Sequence, residues 1–147
     1  MFMSKEVLAE HLDKGWIHAR MFFEVLAASE DVARESLKKH LGSVKKMENI
    51  KVVQEKYEDV VEVEDAPKQF KGKKAYSQVC EVDIVVSSVE NLVYSVIFFG
   101  PSSIEIISPR EMKMRFEEVQ SMANAVAEIM HRYAAAGAGG IIISGKK

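Results

Sequence analysis

The chain has 147 residues, of which 48% are hydrophobic and 29% charged, and its formal net charge is -2 at pH 7. This length suits one domain, and the composition is that of a globular protein and not of a disordered one. The near-neutral charge provides no general attraction to nucleic acid or to anionic membranes, so we expect neither as a partner. The single cysteine, Cys80, excludes an internal disulfide framework and a cysteine-only zinc site within one chain.

The N-terminal stretch "MFMSKEVLAEHLDKG" predicts a short helix. Ser4 can cap it, and Val7, Leu8 and Leu12 fall on one side. The stretch lacks the basic start, long apolar core and small-residue cleavage site of a signal peptide. No apolar run in the chain approaches the roughly 18 residues that a membrane span requires, so we expect a cytoplasmic protein.

The stretch "WIHARMFFEVLAA" alternates as a β-strand does. One side is wholly apolar and is expected to face the core: Ile17, Ala19, Met21, Phe23 and Val25. The other side is mixed: His18, Arg20, Phe22, Glu24 and Leu26. A helix follows, because Ser29 offers an N-cap, apolar residues recur every four positions, and Gly42 is a natural stop.

A second strand is predicted in "MENIKVVQEKYEDVVEVED", which is rich in β-branched residues and becomes acidic from Glu58 to Asp65. The basic stretch "KQFKGKK" comes next. Its lysines around Phe70 could contact nucleic acid, but a solvated connection with partly compensating charges is the favoured interpretation.

A third strand, "AYSQVCEVDIVVSS", turns Cys80, Val82, Ile84 and Val86 to the core and Glu81 and Asp83 to the opposite side. The next stretch, "SSVENLVYSVIFFG", favours a helix, because Ser87 and Glu90 have capping-box spacing. Gly100 and Pro101 end that helix. In the strand "SSIEIIS", Ile104 and Ile106 are expected to face the core and Glu105 the other side.

The last helix begins between Pro109 and Glu117, where the signals for helix and strand conflict. Apolar residues then recur with helical spacing as far as Tyr133. "AAAGAGG" ends this helix, and "IIIS" could be a final edge strand. Neither glycine-rich turn suits a phosphate loop, because Gly100 and "AGAGG" follow helices, whereas the P-loop leads from a strand into a helix.

The order of elements over residues 16–108 is β-α-β-β-α-β. It resembles the ferredoxin-like plait, a layout that ACT-type regulatory modules also use. The resemblance is one of layout alone. It implies an α+β fold with an antiparallel sheet of order 4-1-3-2, flanked by the N-terminal short helix and by a C-terminal amphipathic helix. Residues 1–147 would then be one domain, with the plait core at 16–108 and a helical extension at 109–147.

In this layout the first and third strands are central neighbours, and their charged residues share the sheet face away from the two inner helices. We expect the C-terminal helix or another subunit to cover this face, because it also carries apolar residues. The candidate ligand-binding residues, with one from the last helix, are His18, Arg20, Glu24, Glu81, Asp83, Glu105 and His131. Arg20 could bind a small anion through two hydrogen bonds, or it could form an internal ion pair with Glu81 or Asp83.

Three functions are candidates, and the first two use this face. The first is a small-molecule-binding or regulatory module, expected to be a homo-oligomer. The second is a small cytosolic enzyme in which crowding raises a carboxylate pKa and His18 or His131 accepts a proton. The third is a purely structural interaction protein with a methionine-rich contact surface. No diagnostic spacing indicates a metal or a cofactor, and no set of catalytic residues can be assigned.

Overall fold

The computed structural model describes residues 2–137. These residues form the following elements in chain order: α1 (Lys5–Asp13), β1 (Ile17–Ala27), α2 (Glu30–Lys45), β2 (Ile50–Tyr57), β3 (Val61–Val63), a 3-10 turn (Lys68–Phe70), β4 (Ala75–Val86), α3 (Val89–Phe99), β5 (Ser103–Ser108) and α4 (Phe116–Ala135). The fold is therefore α+β, with an antiparallel sheet in the part of the chain that is described.

The chain divides into two compact units, Met1–Arg110 and Glu111–Lys147. The first contains the whole sheet with α1, α2 and α3, and the second contains α4. A single domain over residues 1–147, with the plait core at 16–108 and the extension at 109–147, stays a prediction.

The long strands β1 and β4 form the centre of the sheet. They pair antiparallel over their whole length, from Ile17 opposite Val86 to Ala27 opposite Tyr76. The apolar side of both strands is buried as the alternation predicts, and it forms one cluster with residues of α2 and β2: Ile17, Ala19, Met21, Phe23, Leu37, Leu41, Val44, Ile50, Cys80, Val82, Ile84 and Val86. The pairing of β1 with β4, on which the predicted arrangement of charged side chains depends, is therefore present.

The strand order differs from the predicted one. Within residues 2–137 the sheet has five strands in the order β2-β4-β1-β5, and the short strand β3 also pairs with β4. The predicted order 4-1-3-2 assumed four strands, but the expected second strand is interrupted in its acidic part, at 58–60. Its two pieces, β2 and β3, pair with successive stretches of β4. The strands expected as third and fourth along the chain are consequently β4 and β5.

Side-chain caps fix the beginnings of three helices. The Ser4 and Ser29 hydroxyls accept hydrogen bonds from the backbone N–H groups of Val7 and Val32, both at 3.2 Å, as expected of N-cap residues. The cap of α3 is Ser88 and not Ser87, because the Ser88 hydroxyl accepts from the Asn91 N–H at 3.1 Å. The Ser87 hydroxyl instead accepts from the Asn91 side-chain amide.

The predicted end of α2 at Gly42 is wrong. The helix continues to Lys45, and Val44, one turn beyond Leu41, is only 1% exposed. Burying a valine contributes about 1.5–3 kcal/mol, which exceeds the roughly 1 kcal/mol cost of a glycine within a helix. Gly100, in contrast, does end α3, where it adopts the left-handed conformation with φ of 59° and donates its N–H to Val96.

His40 on α2 is half-buried. Its Nε2 lies 2.7 Å from the backbone oxygen of Phe99, the last residue of α3. Because a carbonyl can only accept, Nε2 donates this bond, and it satisfies one of the carbonyls that a helix end leaves free. His40 therefore links α2 to the end of α3.

In the second unit, α4 begins at Phe116, within the predicted interval. None of its residues is fully buried, and Phe116 is 91% exposed. The suggested strand "IIIS" lies outside the described residues, as does most of "AGAGG". In residues 2–137, no helix combines the length and the hydropathy needed to cross a bilayer.

Candidate functional site

Arg20 lies at the centre of a charged cluster on the sheet side opposite the buried apolar cluster. It is directly opposite Asp83 on β4 and Glu105 on β5. Glu81 is two residues from Asp83 and therefore on the same side of the sheet. The register thus brings together four of the residues that the sequence selected.

Arg20 and Asp83 form a two-pronged ion pair. Arg20 Nε donates to Asp83 Oδ1 at 2.7 Å, and a terminal guanidinium nitrogen donates to Oδ2 at 3.2 Å. The hydrogen bond and then the charge of Asp83 raise the pKa of Arg20, with smaller contributions from Glu81 and Glu105. The side chain of Asp83 is 14% exposed and that of Arg20 is 34% exposed.

His18 is the fifth member of this cluster. Its Nε2 is 3.6 Å from Asp83 Oδ2, which is too long for a hydrogen bond, and the nitrogen is buried without a partner among the described residues. Asp83 therefore contacts a cation directly and has an imidazole close by, to which it makes no hydrogen bond.

Glu24 is a predicted site residue that lies outside the cluster. The Glu24 carboxylate accepts a hydrogen bond from the Ser77 hydroxyl at 2.6 Å, near the far end of β1. His131 belongs to α4 in the second unit.

The ion pair limits what Arg20 can bind. An anion gripped by both prongs of the guanidinium would have to displace Asp83, because Asp83 already occupies Nε and one terminal nitrogen. Asp83, Glu81 and Glu105 also give this cluster more negative than positive charge, which repels an anion. The internal ion pair is thus the alternative that the geometry favours, and anion binding at Arg20 stays a prediction. Among residues 2–137, no group of three or more His, Cys, Asp and Glu side chains is arranged to hold a metal ion.

A second candidate site, on the α2 side of the sheet, was not predicted from the sequence. It is a pocket of about 250 Å³, here named the α2 pocket, and its lining residues are Arg34, Glu35, Lys38, Tyr57 and Gln78. Helix α2 provides the three charged residues, and β2 and β4 provide Tyr57 and Gln78. Its volume suits a metabolite smaller than a drug-sized ligand.

Gln78 is the unusual residue of the α2 pocket. It is 7% exposed, and its Nε2 donates to the backbone oxygen of Glu58 at 2.9 Å. This bond fixes the orientation of the amide, since a carbonyl oxygen cannot donate. The other end of the amide, Oε1, is buried without a hydrogen-bond partner in the part of the chain that is described.

Tyr57, the last residue of β2, lies beside Gln78 in this lining. Burial, followed by the negative charge of Glu55, raises the pKa of Tyr57 to about 12. Its hydroxyl therefore stays neutral at physiological pH and can both donate and accept. Cys80 lies directly opposite Tyr57 in the sheet and is fully buried, as predicted. Burial raises the pKa of its thiol to about 11, so Cys80 behaves as a small apolar side chain.

The sequence does contain one signal for this pocket. Gln78 occupies a core-facing position of β4, in line with Cys80, Val82, Ile84 and Val86, where an amide is out of place. The sequence does not indicate that α2 lies over this end of the strand, so the α2 pocket itself could not be inferred.

The model of the MJ0538 family matches residues 18–139. The chain belongs to the MJ0538 family. The matched residues begin within β1 and extend past α4, so they include both the charged cluster and the α2 pocket. No curated protein and no solved structure matches the chain significantly.

The ion pair of this MJ0538-family protein can be measured by a double-mutant cycle with Arg20→Met and Asp83→Asn. We expect a coupling free energy of about 1 kcal/mol in urea unfolding, because the geometry is two-pronged but solvent reaches Arg20. The matched control is the Arg34–Glu30 pair on α2, in which both side chains are more than half exposed. Its coupling should be about 0.3–0.5 kcal/mol. Equal couplings for the two pairs would contradict the structural role assigned to Arg20.

The raised pKa of Tyr57 predicts a loss of stability in alkali. The unfolded chain loses the Tyr57 proton near the ordinary pKa of 10.0, whereas the folded chain holds it to about 12. The unfolded state therefore binds fewer protons between these pH values, and the free energy of unfolding falls as pH rises through them. Tyr57→Phe should remove part of this fall and also the tyrosinate absorbance that develops near pH 12. If that absorbance persists in Tyr57→Phe, the raised pKa does not belong to Tyr57.

Proposed function

We propose that this protein is a small-molecule-binding module and that its ligand occupies the α2 pocket. One observation carries the proposal: Gln78 lines the α2 pocket, and its amide oxygen is buried and has no partner among the described residues. Buried polar atoms in folded proteins are almost always hydrogen-bonded, and the exceptions commonly mark a functional position.

The energetic argument supports a bound partner. Leaving a buried acceptor unsatisfied costs about 1–3 kcal/mol, whereas an apolar side chain of similar shape would avoid this cost. A ligand that donates to Gln78 would recover the lost hydrogen bond on binding. Three expectations from the sequence stay predictions within this proposal: a regulatory role, the ferredoxin-like plait as the fold type, and a cytoplasmic location.

We also propose that the module forms a homo-oligomer through β5. Among residues 2–137, this edge strand pairs with β1 alone, so its other edge can accept a strand from a second copy. Ile106 on β5 is 47% exposed although its position faces the apolar side, and Phe98 on α3 is 58% exposed. An antiparallel pair of β5 strands related by a two-fold axis would be self-complementary. If the protein has a purely structural role, the contact between the two β5 strands is its whole function.

The alternative of a small enzyme remains a proposal for the charged cluster. It is supported by His18, whose buried Nε2 lies 3.6 Å from the Asp83 carboxylate. In such an enzyme Asp83 would orient the imidazole and stabilise its protonated form, while Glu81 and Glu105 would add negative charge. Asp83 also forms the ion pair with Arg20, so its position has a structural explanation that needs no catalysis.

The binding proposal is tested with Gln78→Met, a change that keeps the length of the side chain and removes its polar atoms. In native mass spectrometry of protein purified without denaturation, we expect the wild type to carry additional non-protein mass and Gln78→Met to lose it. The matched control is Gln54→Met, because Gln54 lies exposed on β2 outside the pocket lining. This control should retain the bound mass.

The stability of the same variant separates a binding role from a structural one. Gln78→Met removes the unpaired Oε1, which relieves a cost of about 1–3 kcal/mol, and it also loses the Nε2 bond to the Glu58 backbone oxygen, which costs about 0.5–1.5 kcal/mol. The two effects oppose each other, so the free energy of unfolding should change by less than about 2 kcal/mol. A wild type without bound mass, together with a Gln78→Met variant that is several kcal/mol less stable, would assign Gln78 to the architecture and contradict the proposal.

The oligomer is tested with Ile106→Lys. A charge on the exposed side chain of the edge strand should oppose strand pairing between copies, so light scattering should report a monomer for the variant and an oligomer for the wild type. Val32→Lys on α2 is the control, because Val32 is 49% exposed and lies outside the strand edge. It should leave the oligomer intact. A monomeric wild type at high concentration would refute pairing through β5.

A further inference from the structure

The lining of the α2 pocket also restricts the chemistry of its ligand. Glu35 and Lys38 are three residues apart on α2, so they lie on neighbouring positions of one helix face with opposite charges. Neither makes a hydrogen bond or ion pair with another residue of 2–137. Both charges are therefore available to a ligand.

Arg34 is committed elsewhere. Its two terminal nitrogens contact Asp31 and Glu30, each at 3.3 Å, and these acidic side chains compensate its charge. Lys38 is thus the cation with spare capacity in this lining, and Glu35 opposes the entry of a highly charged anion. This balance favours one negative charge on the ligand over two or three.

Two uncharged polar residues of the lining, Tyr57 and Gln78, can accept a hydrogen bond from a ligand. Gln78 Oε1 can only accept, and the Tyr57 hydroxyl can accept as well as donate. The pocket volume of about 250 Å³ is below the roughly 300–1,000 Å³ of sites for drug-sized ligands. A short-chain acid fits this space.

Building on the proposed function, we propose that the ligand is a small monocarboxylate with a hydrogen-bond donor, either a hydroxyl or an ammonium group, next to its carboxylate. The carboxylate pairs with Lys38, and the donor group binds Gln78 Oε1. Because this oxygen is fully buried in the free protein, the Gln78 side chain shifts to admit the donor. An ammonium would in addition be attracted by Glu35, whereas a hydroxyl would not, and this difference separates hydroxy acids from amino acids.

The test uses five probes and follows the backbone amide signals of α2, β2 and β4 by NMR titration. The probes are lactate, alanine, propionate, propionamide and inorganic phosphate. We expect lactate or alanine to bind about tenfold more tightly than propionate, the difference that one hydrogen bond of about 1.4 kcal/mol produces. Propionamide and phosphate should bind more weakly than either.

Variants assign each group of the ligand. Lys38→Met should weaken the carboxylates about tenfold and leave propionamide unchanged, and Lys39→Met is the control, because Lys39 is the next residue along α2 and is not in the lining. Glu35→Gln should weaken alanine and spare lactate if the natural donor is an ammonium. An equal loss of affinity for alanine and lactate would assign the effect to packing and reject the pairing of the ammonium with Glu35.

Different results would reject the ligand class and the proposed function. If propionamide binds as tightly as lactate and Lys38→Met changes neither, the ligand is not a carboxylate, although the pocket still binds small molecules. If phosphate binds best, the assigned charge is wrong. If none of the five probes shifts these signals, the ligand class is rejected, and the loss or retention of bound mass in Gln78→Met still decides whether the α2 pocket binds anything.

Discussion

The antiparallel pairing of β1 with β4 is the constraint on which the other features of the first unit depend. Both strands alternate, and their register places Ile17, Met21 and Phe23 on the same side of the sheet as Val86, Val82 and Cys80. A slip by one residue would turn every one of these side chains away from α2 and α3, and it would bury the charged residues in their place. The same register sets Arg20 against Asp83. The core and the ion pair are therefore two results of one alignment.

The two sides of the sheet consequently differ in what their polar groups can do. On the charged side, Asp83 binds Arg20 and Ser77 binds Glu24, and His18 Nε2 alone in the charged cluster is buried without a partner among the described residues. On the apolar side, polar groups are rare, and Gln78 is left with an unused acceptor. An abundance of charge is thus a weaker indication of function than one buried polar atom without a partner, because solvated strands commonly carry charges and cores rarely contain free acceptors.

The sequence predicts the order of elements well because those signals are local. Caps at Ser4 and Ser29, the alternation of β1 and the glycine at the end of α3 each involve residues a few positions apart, and the structure confirms them. The end of α2 was predicted wrongly because it depends on the burial of Val44, which only the packed sheet provides. The members of the charged cluster followed from alternation and strand pairing, but the choice of Asp83 over Glu81 as the partner of Arg20 required the register. The α2 pocket required the position of a helix over the end of a strand, which is a tertiary property.

The interruption of the second predicted strand explains both the five-stranded sheet and one wall of the α2 pocket. Tyr57 is the last residue of β2, and just beyond it the backbone N–H of Glu58 still donates to Val79 on β4 at 2.9 Å. The backbone oxygen of Glu58 is bonded differently, because it accepts from the Gln78 side chain. The Gln78 amide therefore replaces the backbone N–H group that would bond to this oxygen in a regular strand pair. This bond turns Nε2 toward the backbone and leaves Oε1 without a partner among the described residues. An irregularity in the edge strand has thus produced the unpaired acceptor, and Tyr57 is carried to the same place by the end of β2.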